Sequence, residues 1–244
     1  MVDTPGAPGR ALATMPLHAV TEVYGEAGLR GRFALEIADL PEHDRARLTA
    51  ALDLAARLHA EQRRIREPYL NHLLRVTIRI KHYYGIDDPD VLIAALLHDS
   101  VEDQPYALAG VPVNGEPPRE AALARLAGEF GPRVATLVAS VTNPRYAPDR
   151  DAHEQYREHV AAALDRDPWA RVIKISDFTD NGVGVIHATG PKVVSSARKY
   201  RPLVPILREL VGRPDTPLSA GAREHILDQL DLAEVRFAAI LDES

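Results

Sequence analysis

The sequence contains no cysteine, few aromatic residues (5%) and no long hydrophobic run. The absence of cysteine excludes disulfides and thiolate metal sites, so any metal would have to be held by histidines and carboxylates. The longest clean apolar run, residues 91–97, is much shorter than the ~20 residues that a membrane-spanning helix needs. The first ten residues also lack the basic-then-apolar order of a signal peptide. We therefore expect a cytoplasmic protein with no membrane partner.

The chain has a slight excess of negative charge, with 35 acidic and 29 basic residues in 244 and a net charge of −6. This balance argues against a general nucleic-acid-binding protein. It leaves a small anionic ligand open, because a metal and a few local Arg or Lys side chains can reverse the sign of the charge inside one pocket. The length and the 45% hydrophobic content are typical of one large globular domain.

The hydrophobic periodicity predicts an all-α fold. Apolar residues recur at three- and four-residue steps, and convincing period-two strands are absent. The predicted helices span roughly residues 42–64, 69–84, 89–103, 119–129, 131–141, 151–164, 169–180, 192–211 and 222–241. Asp88-Pro89 and Asp167-Pro168 are predicted helix starts, each with a capping acid and a proline at the first helical position.

Composition divides the chain into three parts. Residues 1–16, rich in Pro, Gly and Ala, are predicted to be a disordered tail, and residues 17–211 to be the main domain. Residues 212–244 are predicted to be a linker and a C-terminal helix that packs on the domain or at an oligomer interface. Residues 104–118 contain four prolines and two glycines and are predicted to be a loop that is functional or mobile.

The residues that can carry chemistry follow the apolar run directly: His98-Asp99 and Glu102-Asp103. Polar groups at the end of a core helix must be satisfied by partners. In a continuous helix His98 would share a face with Glu102, and Asp99 with Asp103. The spacing thus indicates a candidate ligand pair and a candidate acid/base pair, although a solvated acidic helix end would have the same pattern.

Two further candidate ligands lie elsewhere in the chain. His72 lies on the preceding predicted helix, and Asp177 ends a later apolar helix. Two histidines and two carboxylates would suit manganese, iron or zinc, and the oxygen-rich set favours manganese. Asp177 could instead be an ordinary carboxylate at a helix end.

An ordered series of motifs resembles the HD-superfamily hydrolase domain of the RelA/SpoT group, whose members degrade the alarmones ppGpp and pppGpp. The resemblance covers about residues 45–207. Its layout is similar to that of the stand-alone small alarmone hydrolases, including the metazoan SpoT homologue. The motifs are, in order, the segment 58–72 ending in His72, His98-Asp99-Ser-Val-Glu102-Asp103, Phe130-Gly131, residues 138–142, His153-Glu154-Gln155, Lys174-Ile-Ser-Asp177 with Asn181, and Tyr200-Arg-Pro202-Leu203.

The resemblance implies a fold, a metal and a set of roles. The expected fold is a single HD-domain helical bundle with a metal site between helices, an N-terminal extension and an extra C-terminal helix. The resemblance implies that Mn²⁺ is bound by His72, His98, Asp99 and Asp177. Glu102 and Asp103 would position or activate the attacking water. The residues implied in substrate binding are Arg63, Arg64, Lys174, Asn181 and Tyr200.

The implied reaction removes the 3′-pyrophosphate from ppGpp or pppGpp, giving GDP or GTP and pyrophosphate. The base-packing arginine stays open among Arg63, Arg64 and Arg66, because this chain is one residue shorter than the family between Gln62 and Glu67. Each of these arginines could equally belong to an exposed basic turn. Lys174 could be structural, with its charge paired to an acid, and Asn181 a simple turn residue.

Two departures keep other functions open. Phe178 and Asp180 stand where the family usually has an arginine and a histidine. The alternatives are a hydrolase of the same fold acting on another nucleotide such as NADPH, a nucleotide-binding regulator without catalysis, and an interaction module. In the last case the helix 222–241 would form a homo-oligomer surface.

Overall fold

The chain folds into α-helices joined by turns and short loops in this computed structural model, which describes residues 7–64, 67–184 and 191–242. Within those ranges there is no β-strand, only an isolated bridge between Arg63 and Pro68. The prediction of an all-α fold is therefore confirmed. The helices are α1 (Ala7–Thr14), α2 (Leu17–Glu36), α3 (Glu42–Leu58), α4 (Leu70–His82), α5 (Pro89–Leu97), α6 (Ser100–Asp103), α7 (Pro105–Ala109), α8 (Arg119–Phe130), α9 (Pro132–Val141), α10 (Ala152–Arg166), α11 (Pro168–Asn181), α12 (Pro191–Tyr200), a 3₁₀ helix (Arg201–Leu203), α13 (Val204–Gly212) and α14 (Ala220–Asp242).

Three helices form the centre of the molecule. Helix α4 packs against α2, α5 and α11, and α5 packs against α3 and α9. Nearly every residue of α4 and α11 is buried, and residues 91–97 of α5 have no exposed surface. A helix that is buried on all sides belongs in the interior. The polar side chains on α4 and α11 are thus held inside the bundle and must find partners there.

Local capping determines where the central helices begin. The Asp88 side chain accepts hydrogen bonds from the backbone N–H groups of the second and third residues of α5 at 3.0 and 3.4 Å. Asp167 does the same for α11 at 3.0 and 3.2 Å, and a proline takes the first position of each helix. Both predicted helix starts are confirmed, and the geometry satisfies donors that a helix start would otherwise leave unpaired.

The prediction of one continuous helix through residue 103 is wrong. Helix α5 ends at Leu97, residues 98 and 99 form a turn, and α6 follows as a separate short helix. The Ser100 hydroxyl donates to the Leu97 carbonyl at 2.6 Å, a local bond that competes with the helical hydrogen-bond ladder. The helical spacing assumed for His98 and Glu102 therefore does not apply.

The prediction of a disordered tail over residues 1–16 is wrong for α1. This helix packs on α2, and the buried Arg32 guanidinium of α2 donates to the backbone carbonyls of Leu12 and Met15. Residues 1–6 lie outside the described part of the chain. The glycines and alanines of residues 1–16 give no periodic signal from which a helix could be predicted. The contact that holds α1 comes from Arg32, about twenty positions further along the chain.

Three further boundaries differ from the predictions. Helix α7 lies within the predicted loop 104–118, and α3 ends at Leu58 rather than at residue 64. The predicted helix 192–211 is divided into α12, the 3₁₀ helix and α13. Pro202 lies at the division, and a proline cannot donate the backbone hydrogen bond that a continuous helix requires.

The C-terminal helix α14 packs against α11, α12 and α13 of the same chain. Its inward stripe, Ile226, Leu230, Ala233 and Phe237, has no exposed surface. The Phe237 ring meets the edge of the Phe178 ring with centroids 6.3 Å apart, so α14 covers the C-terminal half of α11. Among the helices of the described residues, none has the length and apolar character to cross a bilayer.

Candidate active site

The structure brings the four predicted metal ligands together from α4, the turn after α5, and α11. Ligand atoms of His72, His98 and Asp177 all lie within 4.8 Å of one another, and the three residues are buried. Asp177 Oδ1 is 3.3 Å from His72 Nε2 and 3.8 Å from His98 Nε2. Asp99 Oδ2 is 3.0 Å from His98 Nε2 and 3.7 Å from His72 Nε2.

The orientation of the two histidines fits a cation between them. His72 Nδ1 lies 2.9 Å from Asp180 Oδ2, and His98 Nδ1 lies 2.9 Å from the Ala95 carbonyl oxygen. Because both partners are acceptors, each Nδ1 carries a hydrogen, so Nε2 of each ring is the atom that faces the carboxylates and would bind a metal in place of a proton. His98 Nε2 is buried, and the Asp99 oxygen 3.0 Å away does not meet it with hydrogen-bond geometry. A divalent ion bound by nitrogen and oxygen ligands would satisfy this atom.

The charges of the group also favour a cation. Burial would raise the pKa of Asp177, but the Lys174 ammonium and the two imidazoles hold it well below its usual range. Burial lowers the pKa of His98, but Asp99 and Asp177 outweigh this effect and raise it to about 9. The carboxylates thus stay ionised at neutral pH and draw positive charge to the space between them, where a metal would supply it.

Asp180 supports His72 from behind, a role that the sequence analysis missed. Its side chain has no exposed surface. Its oxygens accept from Arg75 Nε at 2.8 Å, Arg75 Nη2 at 3.0 Å and Arg79 Nη2 at 3.2 Å, in addition to His72 Nδ1. Burial would raise the pKa of Asp180, but Arg75, His72 and Arg79 lower it well below its usual range. Asp180 is therefore an ionised carboxylate that holds the His72 ring in place.

A sequence signal for this network exists in α4. His72, Arg75 and Arg79 follow at three- and four-residue steps, so they share one face of a helix. That face of a helix rich in apolar residues must meet an acid. Which acid it meets depends on how α4 and α11 cross, and the helical period cannot supply that information. Glu67 completes the network by accepting from Arg75 at 2.6 and 2.7 Å.

Lys174 and Asn181 both contact Asp177. Lys174 Nζ donates to Asp177 Oδ2 at 2.8 Å, and Asn181 Nδ2 donates to Asp177 Oδ1 at 2.5 Å. Burial lowers the pKa of Lys174, but Asp177 reverses this and raises it well above the ordinary value. This is the geometry of the alternative in which Lys174 pairs its charge with an acid. Both residues orient the metal-facing carboxylate.

The basic turn after α3 contributes one arginine to the site. The Arg64 guanidinium lies 5.8 Å from the centre of the Tyr69 ring and hydrogen-bonds to Asp180 at 3.2 Å and to Asn181. Arg63 is exposed on the same turn, and Arg66 lies outside the described residues. Of the two candidates that the structure describes, Arg64 is thus the one beside the predicted metal ligands.

Tyr200 lies among aromatic residues that pack beside α11. Its ring meets the edges of the Phe178 and Tyr156 rings with centroids 5.9 and 6.4 Å away. Burial raises the pKa of its hydroxyl well above the usual range. Lys199, which the sequence analysis did not single out, places Nζ 4.3 Å from the Tyr156 ring centre. Tyr200 and its neighbours therefore form an apolar and basic wall next to α11.

Glu102 and Asp103 point in different directions because consecutive residues of a helix, here α6, do not share a face. Glu102 accepts from the backbone N–H of Asn143 at 3.0 Å and from its side-chain amide at 2.9 Å. Asp103 Oδ2 accepts from Gln62 Nε2 at 2.7 Å. Burial and the charge of Asp99 raise the pKa of Asp103. One acid is thus rigidly held, and the other is suited to exchange a proton.

Tyr69 is a further residue that sequence reasoning missed. Its hydroxyl donates to Asp99 Oδ2 at 2.6 Å, and its ring stacks on His59 with centroids 5.1 Å apart. Burial and the charge of Asp99 raise the pKa of Tyr69, so the hydroxyl keeps its hydrogen. It therefore fixes the orientation of Asp99 as Lys174 and Asn181 fix that of Asp177.

Comparison with known proteins agrees with this geometry. An HD domain family model matches residues 51–167. The human protein named guanosine-3′,5′-bis(diphosphate) 3′-pyrophosphohydrolase MESH1 is 36% identical over 135 residues, which are 54% of this chain and 65% of that protein. The Drosophila melanogaster protein of the same name is 32% identical over 139 residues, covering 56% and 68% of the two chains. The chain thus spans just under two thirds of the length of the human relative.

A bacterial relative and a solved structure extend the comparison. The Aquifex aeolicus guanosine-3′,5′-bis(diphosphate) 3′-pyrophosphohydrolase is 30% identical over 159 residues, which are 64% of this chain and 20% of that enzyme. A structure titled as that of a metazoan orthologue of SpoT that hydrolyses ppGpp superposes with a TM-score of 0.56 and 26% identity. The match covers 76% of this chain and 93% of the other.

Proposed function

Since this chain belongs to the RelA/SpoT group of HD-domain hydrolases, we propose that it is a metal-dependent 3′-pyrophosphohydrolase of ppGpp and pppGpp. The products are GDP or GTP and pyrophosphate. The observation that carries the proposal is the buried group of His72, His98 and Asp177, with both Nε2 atoms turned towards carboxylates. Relatives with similar sequence and structure carry the name of this activity.

The proposed ligands of the ion are His72, His98, Asp99 and Asp177, and the proposed ion is Mn²⁺. When bound, the ion would polarise a water and neutralise charge on the phosphoryl oxygens. The chain's own residues prepare its ligands. Asp180 holds His72, Tyr69 holds Asp99, and Lys174 with Asn181 holds Asp177. Such outer partners keep the ligand atoms aimed at one point before the substrate arrives.

Glu102 and Asp103 are proposed to position the water and to take up its proton. Both oxygens of Glu102 are held by Asn143, which suits a carboxylate that must orient a small molecule. Asp103 reaches solvent, and partial desolvation of its carboxylate together with the charge of Asp99 raises its pKa, which suits a group that exchanges protons with solvent. Their support is this geometry and the family motif that they match.

The substrate is proposed to lie between the basic turn that carries Arg63 and Arg64 and the apolar and basic wall around Tyr200. Arg64 is placed on the Tyr69 ring, where its planar group could pack on a base or pair with phosphate. Arg63 and Tyr200 are the neighbouring candidates. Of the two departures from the family pattern, Phe178 does not favour a different substrate, because it is 1% exposed inside the core. Asp180 faces the arginines of α4 and also pairs with Arg64.

A substrate panel tests the proposal. The protein with Mn²⁺ is offered ppGpp, pppGpp, NADPH and ordinary nucleotides, and the products are resolved by ion exchange. We expect pyrophosphate and GDP from ppGpp, with loss of both in Asp99→Ala and Glu102→Ala. Cleavage of NADPH in place of ppGpp would agree with the proposed metal site but refute ppGpp as the substrate. No cleavage, together with no bound metal, would refute the enzyme and favour a nucleotide-binding regulator.

A further inference from the structure

A cavity of about 470 Å³ lies outside the candidate active site. It is formed where the start of α2, the end of α4, the end of α11 and the middle of α14 meet. None of the proposed metal ligands is among the described residues that line it. Its volume is in the range of sites that hold small organic molecules. The proposed hydrolysis makes no use of it.

The charges that line this cavity are mainly positive. Arg79 and Arg236 contribute two guanidinium charges against one carboxylate, Glu22. His18 and His225 add polar imidazole rings, and burial lowers the pKa of His225. The described contact of the Arg236 guanidinium is with the backbone carbonyl of Val183. No carboxylate in the described ranges lies within ion-pair distance of Arg236, and burial lowers its pKa. An anion would balance this charge.

The same cavity has an aromatic and apolar wall. The Tyr83 and His225 rings stack with centroids 5.4 Å apart and planes 9° from parallel. Leu17, Val183 and Leu232 add apolar surface around them. Flat apolar surface next to guanidinium groups matches a ligand with a planar ring and a negative group.

We infer that this cavity binds a small organic anion carrying an aromatic ring, with the anionic group at Arg236 and Arg79 and the ring against Tyr83 and His225. The size of the cavity admits one such molecule. The inference stands on the lining residues alone and does not depend on the proposed hydrolysis.

The cavity is connected to the metal-binding group through Arg79. Arg79 Nη2 donates to Asp180 Oδ1 at 3.2 Å, and Asp180 Oδ2 accepts from His72 Nδ1 at 2.9 Å. A bound anion shares the Arg79 guanidinium with Asp180, so less positive charge compensates the Asp180 carboxylate that holds His72. Both the charge of this carboxylate and that of the ligand attract a cation. Occupancy of the cavity therefore strengthens divalent-ion binding, a part of the inference that rests on the proposed metal site.

The binding experiment uses phenyl phosphate as the probe, with phenol and inorganic phosphate as partial probes. Isothermal titration on the full chain, after removal of metal with EDTA, gives the affinities. We expect phenyl phosphate to bind at least about tenfold more tightly than either partial probe, since each contributes only one half of the contacts. Equal affinity for phenyl phosphate and inorganic phosphate would overturn the aromatic part of the site.

Variants locate the site. Arg236→Gln should weaken phenyl phosphate binding by about tenfold, the effect of removing one charged hydrogen bond. Leu232→Glu, which adds a carboxylate at a residue that is already 38% exposed, should weaken it as well. Arg150→Gln removes an exposed arginine elsewhere and should leave it unchanged. Binding by Arg236→Gln equal to wild type, or binding seen only with Mn²⁺ present, would overturn the site.

The coupling has its own measurement. Mn²⁺ is titrated with and without saturating phenyl phosphate, and we expect a several-fold tighter Mn²⁺ affinity with the probe. Linkage then requires phenyl phosphate affinity to rise by the same factor when Mn²⁺ is bound. Unchanged or weaker Mn²⁺ binding would overturn the coupling. Because no nucleotide is hydrolysed in either titration, these outcomes are separate from success or failure of the proposed activity.

Discussion

Replacement of Asp180 by Asn isolates the charge at the centre of the α4–α11 contact. The side chain is fully buried and accepts from Arg75 through two nitrogens, from Arg79 and from His72 Nδ1. Asparagine keeps the shape, but its amide nitrogen is a donor that must face another donor. It also leaves Arg75 with Glu67 alone as its carboxylate partner. Breaking a buried charge pair in this way costs about 3–5 kcal/mol of the free energy of unfolding.

Urea unfolding and Mn²⁺ titration measure the two consequences. With a slope of about 3 kcal/mol per M, the loss lowers the midpoint by roughly 1 to 1.7 M. Because His72 loses the partner that fixes its Nδ1 hydrogen, the affinity for Mn²⁺ should fall by about 10- to 100-fold. Asp215→Asn is the matched control, since Asp215 pairs with a buried arginine but is itself exposed, and its effect should be small.

The effect of Asp180→Asn on the free energy of unfolding should depend on pH. The pKa of Asp180 is lowered in the folded chain, so its contribution to stability is present above the unfolded pKa of about 3.9 and is lost as pH falls towards the folded pKa. The difference between wild type and Asp180→Asn should therefore be full at neutral pH and shrink below about pH 4. Equal urea midpoints at pH 7, with equal Mn²⁺ affinity, would refute the role assigned to Asp180.

Three further predictions follow from contacts around the site. Tyr69→Phe removes the hydrogen bond to Asp99 while keeping the ring that stacks on His59, so Mn²⁺ affinity should fall about tenfold by titration. Phe178→Ala should lower the free energy of unfolding by about 3–5 kcal/mol in urea, because it empties core space against Phe237. Removal of metal with EDTA should lower the melting temperature. Restoring Mn²⁺ at 100 times its Kd should raise the free energy of unfolding by about 2.7 kcal/mol.

Each of these has a control. Phe178→Leu refills most of the space and should cost less than Phe178→Ala, and equal costs would show that packing is not the cause. Wild-type Mn²⁺ affinity in Tyr69→Phe would show that Asp99 is oriented without the hydroxyl. An unchanged melting temperature after EDTA, in a chain shown to have carried metal, would contradict a metal site between α4 and α11.

The sequence by itself was sufficient for the main helices and for the identity of the proposed ligand set. Hydrophobic periodicity and capping are local properties of the sequence. Asp88 and Asp167 therefore predicted the starts of α5 and α11, and the apolar run of α5 predicted a buried helix. The family motifs then singled out His72, His98, Asp99 and Asp177. The structure places their ligand atoms within a few ångströms, as a site between helices requires.

Only the tertiary structure decided the partners of the buried charges. Asp180 is a departure from a family pattern in the sequence, but it meets Arg75 and His72 across more than a hundred residues because α4 and α11 cross there. Lys174 pairs with Asp177, three residues along the same helix, a contact that the sequence had left open. The helical period states which residues share a face of one helix. Which charge satisfies that face depends on how separate helices pack, because burial makes an unpaired charge too costly to leave.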